Sequence, residues 1–459
     1  MDERIYYPLT PSQLSIFLSR KYAIHKSVVN VPTSIILKEA LDPDVLEESL
    51  KEAIGRWDSF GIRIMKDKEQ AKQYFSVPSV ESIERLDFQR KSRQDMERTF
   101  LKLASKKLEI YDAPMARFYV VTTPEGYGGV FSVISHLIMD SWAISMFYKD
   151  LFQIYYAHKD GKPYPKAVKP YEDVLKKEIA YRQTEQYQKA LAYWKNEFSR
   201  EEPIFTHVNG REILEKFRKK KGDDSIRYAG TFYLRSTAGH DLYWVYKEDI
   251  DVMTEFIKEY GFPSLQVLFQ MGLRTYLAYI NDYESDVSFY NIVARRGTLE
   301  EKLTGGTRVH FMHFRTIMDP DITFLEGLHM LLDKQNELYR HADFSPMEMF
   351  EVEHALTKVS PGVSYRSVAL TFQPVPMKIE GVPEIESRWY SNGAVSQPLY
   401  LTVMDGDGTG GLKVYYEYMS NTISKEKIAD LHRYMTYVMV EGAKNPNIRL
   451  RDLYERIKE

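Results

Sequence analysis

The chain has 459 residues, 28% of them charged, and a formal net charge of −3. At roughly 100–200 residues per domain this length suggests two or three domains, and near-neutral charge argues against nucleic acid as the main partner. Cysteine is absent, which excludes disulfides, thiolate metal sites, iron–sulfur clusters and a Cys nucleophile.

The opening Met1-Asp2-Glu3-Arg4-Ile5 lacks the apolar centre of a signal peptide. No stretch reaches the about 18 uninterrupted apolar residues of a membrane-spanning helix, so a cytoplasmic protein that does not engage the membrane is expected. Thr10 and Pro11 read as the cap and first turn of a helix over 10–22. A strand follows at 29–37. Asp42 caps a helix from Pro43 to about Gly55, with Val45, Leu46, Leu50 and Ile54 on its apolar stripe. Residues 94–108 read as a helix, 115–122 and 129–134 as strands joined by a turn-rich segment, and 141–157 as a long amphipathic helix.

Residues 159–170 are rich in Lys, Pro and Gly and form the best linker candidate. A charged helix is expected over 171–198, and the charge run 211–224 reads as a solvated face or connector. Then come a strand at 229–235, helices at 249–260 and 264–281, and strands at 287–293, 308–318 and 366–373. Strands 398–404 and 412–418 flank a glycine-rich hairpin turn, and a last helix covers 424–441. The alternation of the two periodicities predicts a mixed α and β protein.

The literal Gly-x-Gly-x-x-Gly at Gly406, Gly408 and Gly411 is followed by strand-like Leu412-Lys413-Val414-Tyr415-Tyr416. A dinucleotide site needs a helix there, and an EF-hand needs an acid at position twelve, where Tyr416 stands. No nucleophile elbow, Walker loop or His-Glu-x-x-His occurs, and no metal site is expected. The informative segment is Ser135-His136-Leu137-Ile138-Met139-Asp140-Ser141-Trp142. It places His136 at the end of an apolar strand and Asp140 at a helix N-terminus, where a carboxylate is favoured. On spacing alone, a structural histidine beside an N-cap aspartate is the favoured account.

His136-x-x-x-Asp140 resembles the His-His-x-x-x-Asp-Gly motif of nonribosomal peptide synthetase condensation domains, members of the chloramphenicol-acetyltransferase-like superfamily. The likeness runs along nearly the whole chain. Tyr7-Pro8-Leu9-Thr10-Pro11-Ser12-Gln13 is similar to the family's opening motif, and Arg56 to Arg63 to a degenerate Arg-His-Glu-x-Leu-Arg segment. Tyr171-Glu172-Asp173 with Tyr193-Trp194 resembles the segment at the lobe junction. Val293-Ala294-Arg295-Arg296 resembles the strand ending in Arg, and His310 to Arg315 the place of an Asn and Arg five apart. Residues 421–454 look like the closing helix and tail.

The resemblance implies two chloramphenicol-acetyltransferase-like lobes of mixed α/β structure in a V, about 1–168 and 169–459, with a tunnel between them and a monomeric state. It implies a freestanding condensation enzyme. An acyl or aminoacyl thioester on the phosphopantetheine arm of a carrier protein would be joined to an amine or alcohol, giving an amide or ester. His136 takes the catalytic place, as general base or as a positioning acceptor, and Asp140 a structural one, with Arg296 its expected partner and Arg295 a less favoured one. Ser135 replaces the family's first His, Ser141 its Gly, Gly61 an Arg and His310 an Asn. No permanently bound cofactor is implied. Two other readings stay open: a coenzyme-A-dependent acyltransferase of the same fold, and a noncatalytic module that docks carriers.

Overall fold

Local capping chemistry sets the first helices. Thr10 accepts the Gln13 backbone N–H while the Gln13 side chain accepts the Thr10 N–H, and with Pro11 in the first turn this closed box starts the helix Pro11–Tyr22. Asp42 accepts the N–H groups of Asp44 and Val45 and starts Pro43–Arg56. Leu46, Leu50 and Ile54 of that helix are buried.

The computed structural model describes residues 4–66, 70–231, 237–357, 359–379 and 384–456. It divides into two compact units. The first comprises Met1–Thr184, Ala294–Val309 and Val375–Ser396; the second comprises Glu185–Val293, His310–Pro374 and Gln397–Glu459. This differs from a division at residue 168, because two later segments return to the first unit. The reason is pairing: Ile385–Trp389 adds an edge strand antiparallel to Asn30–Leu37.

In the first unit a five-stranded sheet runs in the order Ile385–Trp389, Asn30–Leu37, Gly128–Ser135, Ala116–Thr122, Ser82–Asp87. Only its last pair is parallel. Every residue of the central strand Gly128–Ser135 is buried. One face packs on Leu46, Leu50, Phe147, Leu151 and Tyr155 of the helices Pro43–Arg56 and Ser141–Asp160. The other face packs on Phe100 and Tyr390, with the Phe100 and Phe131 rings stacked at 4.3 Å.

The second unit carries a six-stranded sheet in the order His310–Ile317, Asp286–Val293, Val368–Gln373, Leu399–Asp405, Leu412–Met419, Ala238–Val245. Val368–Gln373 is parallel to both of its neighbours. The apolar helix Gln266–Ile280 lies in this unit's core with Leu328, Leu331, Leu431 and Met435.

Several elements depart from the sequence expectation. The charged helix over 171–198 is two helices, Tyr171–Ala180 and Glu185–Phe198. Thr184 breaks it: both its N–H and its hydroxyl return to the Tyr181 carbonyl, at 3.0 and 2.7 Å. The helix expected to reach 108 ends at Ala104. The charge run 211–224 holds a helix, Glu212–Lys221, stopped by Gly222 at φ 69°. Of the strand expected at 229–235 only Ala229–Gly230 is seen, and 232–236 lie outside the described residues. Helices Phe324–Arg340 and Pro346–Thr357 had no sequence assignment.

Candidate active site

The central strand of the first sheet ends at Ser135, and the chain turns sharply there. The His136 N–H donates to the Val29 carbonyl at 2.7 Å, and the Ile138 N–H to the Ser135 carbonyl at 3.0 Å. The Ser135 hydroxyl accepts the Leu137 N–H at 3.3 Å, so a hydroxyl suffices to order the turn. The Gln13 amide, beyond its capping role, donates to the Leu137 carbonyl at 3.2 Å. His136 is thereby fixed at its backbone.

The His136 ring is half-buried. Its Nδ1 lies 3.2 Å from Thr307 Oγ1. Burial lowers its pKa below the ordinary 6.5, against the opposing pull of the Asp140 carboxylate and of the ring's hydrogen bond to its own backbone carbonyl. The imidazole is therefore neutral at pH 7. Thr307 Oγ1 can donate to or accept from Nδ1, according to the tautomer. Among the described residues only Nδ1 of the ring has a hydrogen-bond partner.

Asp140 is fully buried and caps the helix Ser141–Asp160, accepting the Ala143 N–H at 2.9 Å. Arg296 Nη2 donates to both of its carboxylate oxygens at 2.9 Å, and the Arg308 N–H donates to Oδ2 at 2.9 Å. Arg296 also donates from Nη1 to the Thr304 carbonyl at 3.0 Å and from Nη2 to the Gly305 and Gly306 carbonyls at 3.2 and 3.0 Å. The Asp140 N–H closes the circuit onto the Gly306 carbonyl at 3.1 Å. The same loop carries Thr307, whose hydroxyl meets the His136 ring. Arg295 does not touch Asp140: it pairs with buried Glu178 at 2.5 Å and donates to Ser12 at 3.1 Å. Its backbone sits at φ 47°, a conformation rare for any residue but glycine and held by reciprocal bonds between Arg295 and Arg308 at 2.9 and 3.0 Å.

Gly306 sits at φ +76°, and a Cβ there would lie 2.0 Å from the buried Tyr171 ring. Gly61 is equally constrained, since a Cβ would meet the Ser76 carbonyl at 2.1 Å. No arginine fits that position. Nearby Arg56 pairs with Asp150 at 3.0 Å, and Arg63 donates to the Phe60 and Ile62 carbonyls at 2.9 and 2.8 Å.

The structure thus gathers His136, Asp140, Ser135 and Arg296 in one unit, with Ser141 as the first residue of the capped helix. His310 belongs to the second unit, where it is buried and its Nδ1 donates to the Ala342 carbonyl at 2.8 Å. The sequence reading passed over Thr307, Arg308 and Glu178. The run Gly305-Gly306-Thr307-Arg308 was the available signal, a glycine pair followed by polar side chains. Among the described residues no group of three or more His, Asp or Glu is placed to hold a metal, and no helix is long and apolar enough to cross a membrane.

The family model described as "Condensation domain" matches residues 3–455. A plipastatin synthase subunit of Bacillus subtilis (strain 168) is 19% identical over 450 residues, which is 97% of this chain and 17% of that protein. Surfactin synthase subunit 1 of the same organism is 22% identical over 467 residues, 98% of this chain and 12% of that protein. The chain therefore spans less than a fifth of these relatives. Among solved structures, the first condensation domain of the CDA synthetase superposes with a TM-score of 0.81 at 18% identity, covering 98% of both chains. A variant starter condensation domain of rhizomide synthetase, in complex with C8-CoA, gives 0.80 at 14% identity over 97% of this chain and 96% of that one.

Proposed function

The chain belongs to the condensation domain family, and from that premise we propose that it joins an acyl or aminoacyl thioester, carried on the phosphopantetheine arm of a carrier protein, to an amine acceptor. The observation that carries the reading is His136: a ring at a rigid strand end, with Nδ1 engaged by Thr307 Oγ1 and its pKa lowered by burial. The acceptor nitrogen attacks the thioester carbon as one of its N–H protons passes to Nε2. The C–N bond forms, the C–S bond breaks, and the proton leaves with the thiol. An alcohol acceptor would give an ester by the same steps.

A positioned general base contributes about 10²–10⁴-fold, or roughly 3–5 kcal/mol of barrier. Alignment of the two substrates supplies much of the rest. Asp140 and Arg296 touch each other and the backbone, so theirs is a positioning role.

A second reading, in which coenzyme A replaces the carrier, is favoured by the C8-CoA complex of a structural neighbour. One experiment separates them. Carrier protein and coenzyme A are each loaded with the same acyl group and offered to an amine panel with wild type and His136→Ala. Product from carrier thioesters, lost in the variant, supports the first reading. Product from coenzyme A thioesters alone supports the second. Equal product from both proteins overturns the role of His136.

A further inference from the structure

Residues 295–308 form a loop that two arginines close at its neck. Arg295 Nε donates to the Arg308 carbonyl at 2.9 Å, and Arg308 Nε to the Arg295 carbonyl at 3.0 Å. Both side chains are withdrawn from water, at 3% and 5% exposure. Two buried like charges repel unless a counter-charge joins them. Glu178 supplies it. Its side chain is 4% exposed; Oε1 accepts from Arg295 Nη2 at 2.5 Å and Oε2 from Arg308 Nη1 at 3.5 Å. The acid comes from the helix Tyr171–Ala180, so it fastens the neck to a separate element of the same unit. Arg295 stands at φ 47°, a conformation that persists only where the surroundings impose it.

The neck borders the candidate site on both sides. Arg296 follows Arg295 and holds the Asp140 carboxylate at 2.9 Å. The Arg308 N–H donates to that carboxylate at 2.9 Å, and Thr307, the residue before it, sets its hydroxyl 3.2 Å from His136 Nδ1. Among the described residues the Glu178 carboxylate bonds only to the two arginines. It touches neither the His136 ring nor Asp140.

We infer that Glu178 is a positioning residue for His136: its carboxylate holds the neck closed and, through Arg308 and Thr307, fixes what meets the ring. The kinetic consequence rests on the reading of His136 as the group that takes the acceptor's proton. The structural consequence does not.

The test takes two readouts on the full chain. One is nitrogen-15 NMR of the imidazole rings, with the His136 signals assigned by their loss in His136→Gln. The other is steady-state transfer from an acyl-loaded carrier protein to an amine. Glu178→Gln keeps the shape and removes the charge. Its His136 ring signals are expected to shift from their wild-type positions. Its kcat is expected to fall by about tenfold or more, with the KM of each substrate within about twofold of wild type. Glu178→Asp keeps the charge but draws it back by one methylene, so a smaller change in both readouts is expected, and it serves alone if Glu178→Gln does not fold. Wild-type ring signals in either variant would overturn the inference, as would shifted signals with wild-type kcat, or a loss carried by KM. If wild type itself transfers nothing, the reading of His136 fails, and the ring signals still decide whether Glu178 positions it.

Discussion

Replacing Asp140 with Ala removes a buried carboxylate that accepts five hydrogen bonds, one of them from Arg296 Nε to Oδ2 at 3.3 Å. Arg296 Nη2 donates to both oxygens, the Ala143 N–H to Oδ1 and the Arg308 N–H to Oδ2, each at 2.9 Å. Breaking one side of a buried pair costs about 3–5 kcal/mol, since the other charge is left behind. Loss of a helix cap alone costs about 1 kcal/mol. The two overlap, because both arise from the same oxygens, so the expected loss is about 4 kcal/mol against a typical total of about 5–15 kcal/mol. Asp140→Asn keeps an acceptor for the cap and loses the charge, so about 2 kcal/mol is expected. Urea unfolding read by tryptophan emission measures both. Trp142 is a local reporter, as its indole N–H donates to the Lys302 carbonyl at 3.0 Å beside the ion pair. A loss below about 1 kcal/mol in Asp140→Ala, with transfer abolished, would refute the positioning role and put Asp140 in the chemistry.

Three further outcomes follow from the same structure. The acid limb of kcat/KM is expected below pH 6.5, because burial lowers the His136 pKa and the reaction needs the neutral ring; a limb at or above 6.5 would contradict this. Gly306→Ala is expected to destabilise by more than about 2 kcal/mol and to slow transfer, since its Cβ would lie 2.0 Å from the Tyr171 ring at φ +76°; an unchanged unfolding midpoint would contradict it. His207 accepts the Asn209 N–H on Nδ1 at 3.1 Å and is buried, which lowers its pKa from 6.5 to about 4. The unfolded chain then binds the proton first, so stability is whole above pH 6.5 and falls by about 3 kcal/mol as pH drops to 4. Unfolding midpoints for wild type and His207→Gln should diverge with that slope.

Elements with local chemistry were legible in the sequence. Thr10 and Pro11 announce one helix start, Asp42 and Pro43 another, and the apolar runs at 129–134 and 287–293 coincide with interior strands. What could not be read locally was set by distant partners. Ile385–Trp389 becomes a strand by pairing with Asn30–Leu37 far earlier in the chain. Asp140 and Arg296 are 156 residues apart, so only a motif could suggest their meeting. Glu178 lies in the charged helix expected over 171–198, yet its side chain is buried between Arg295 and Arg308. Charge alone does not reveal burial when the compensating arginines arrive from another segment.

The central claim is that His136 takes the acceptor's proton. Single-turnover amide formation from an acyl-loaded carrier, compared between wild type and His136→Ala at saturating acceptor, tests it most directly. A rate lower by about 10²–10⁴-fold in a variant with unchanged unfolding midpoint is the result expected. Equal rates in the two proteins would contradict it.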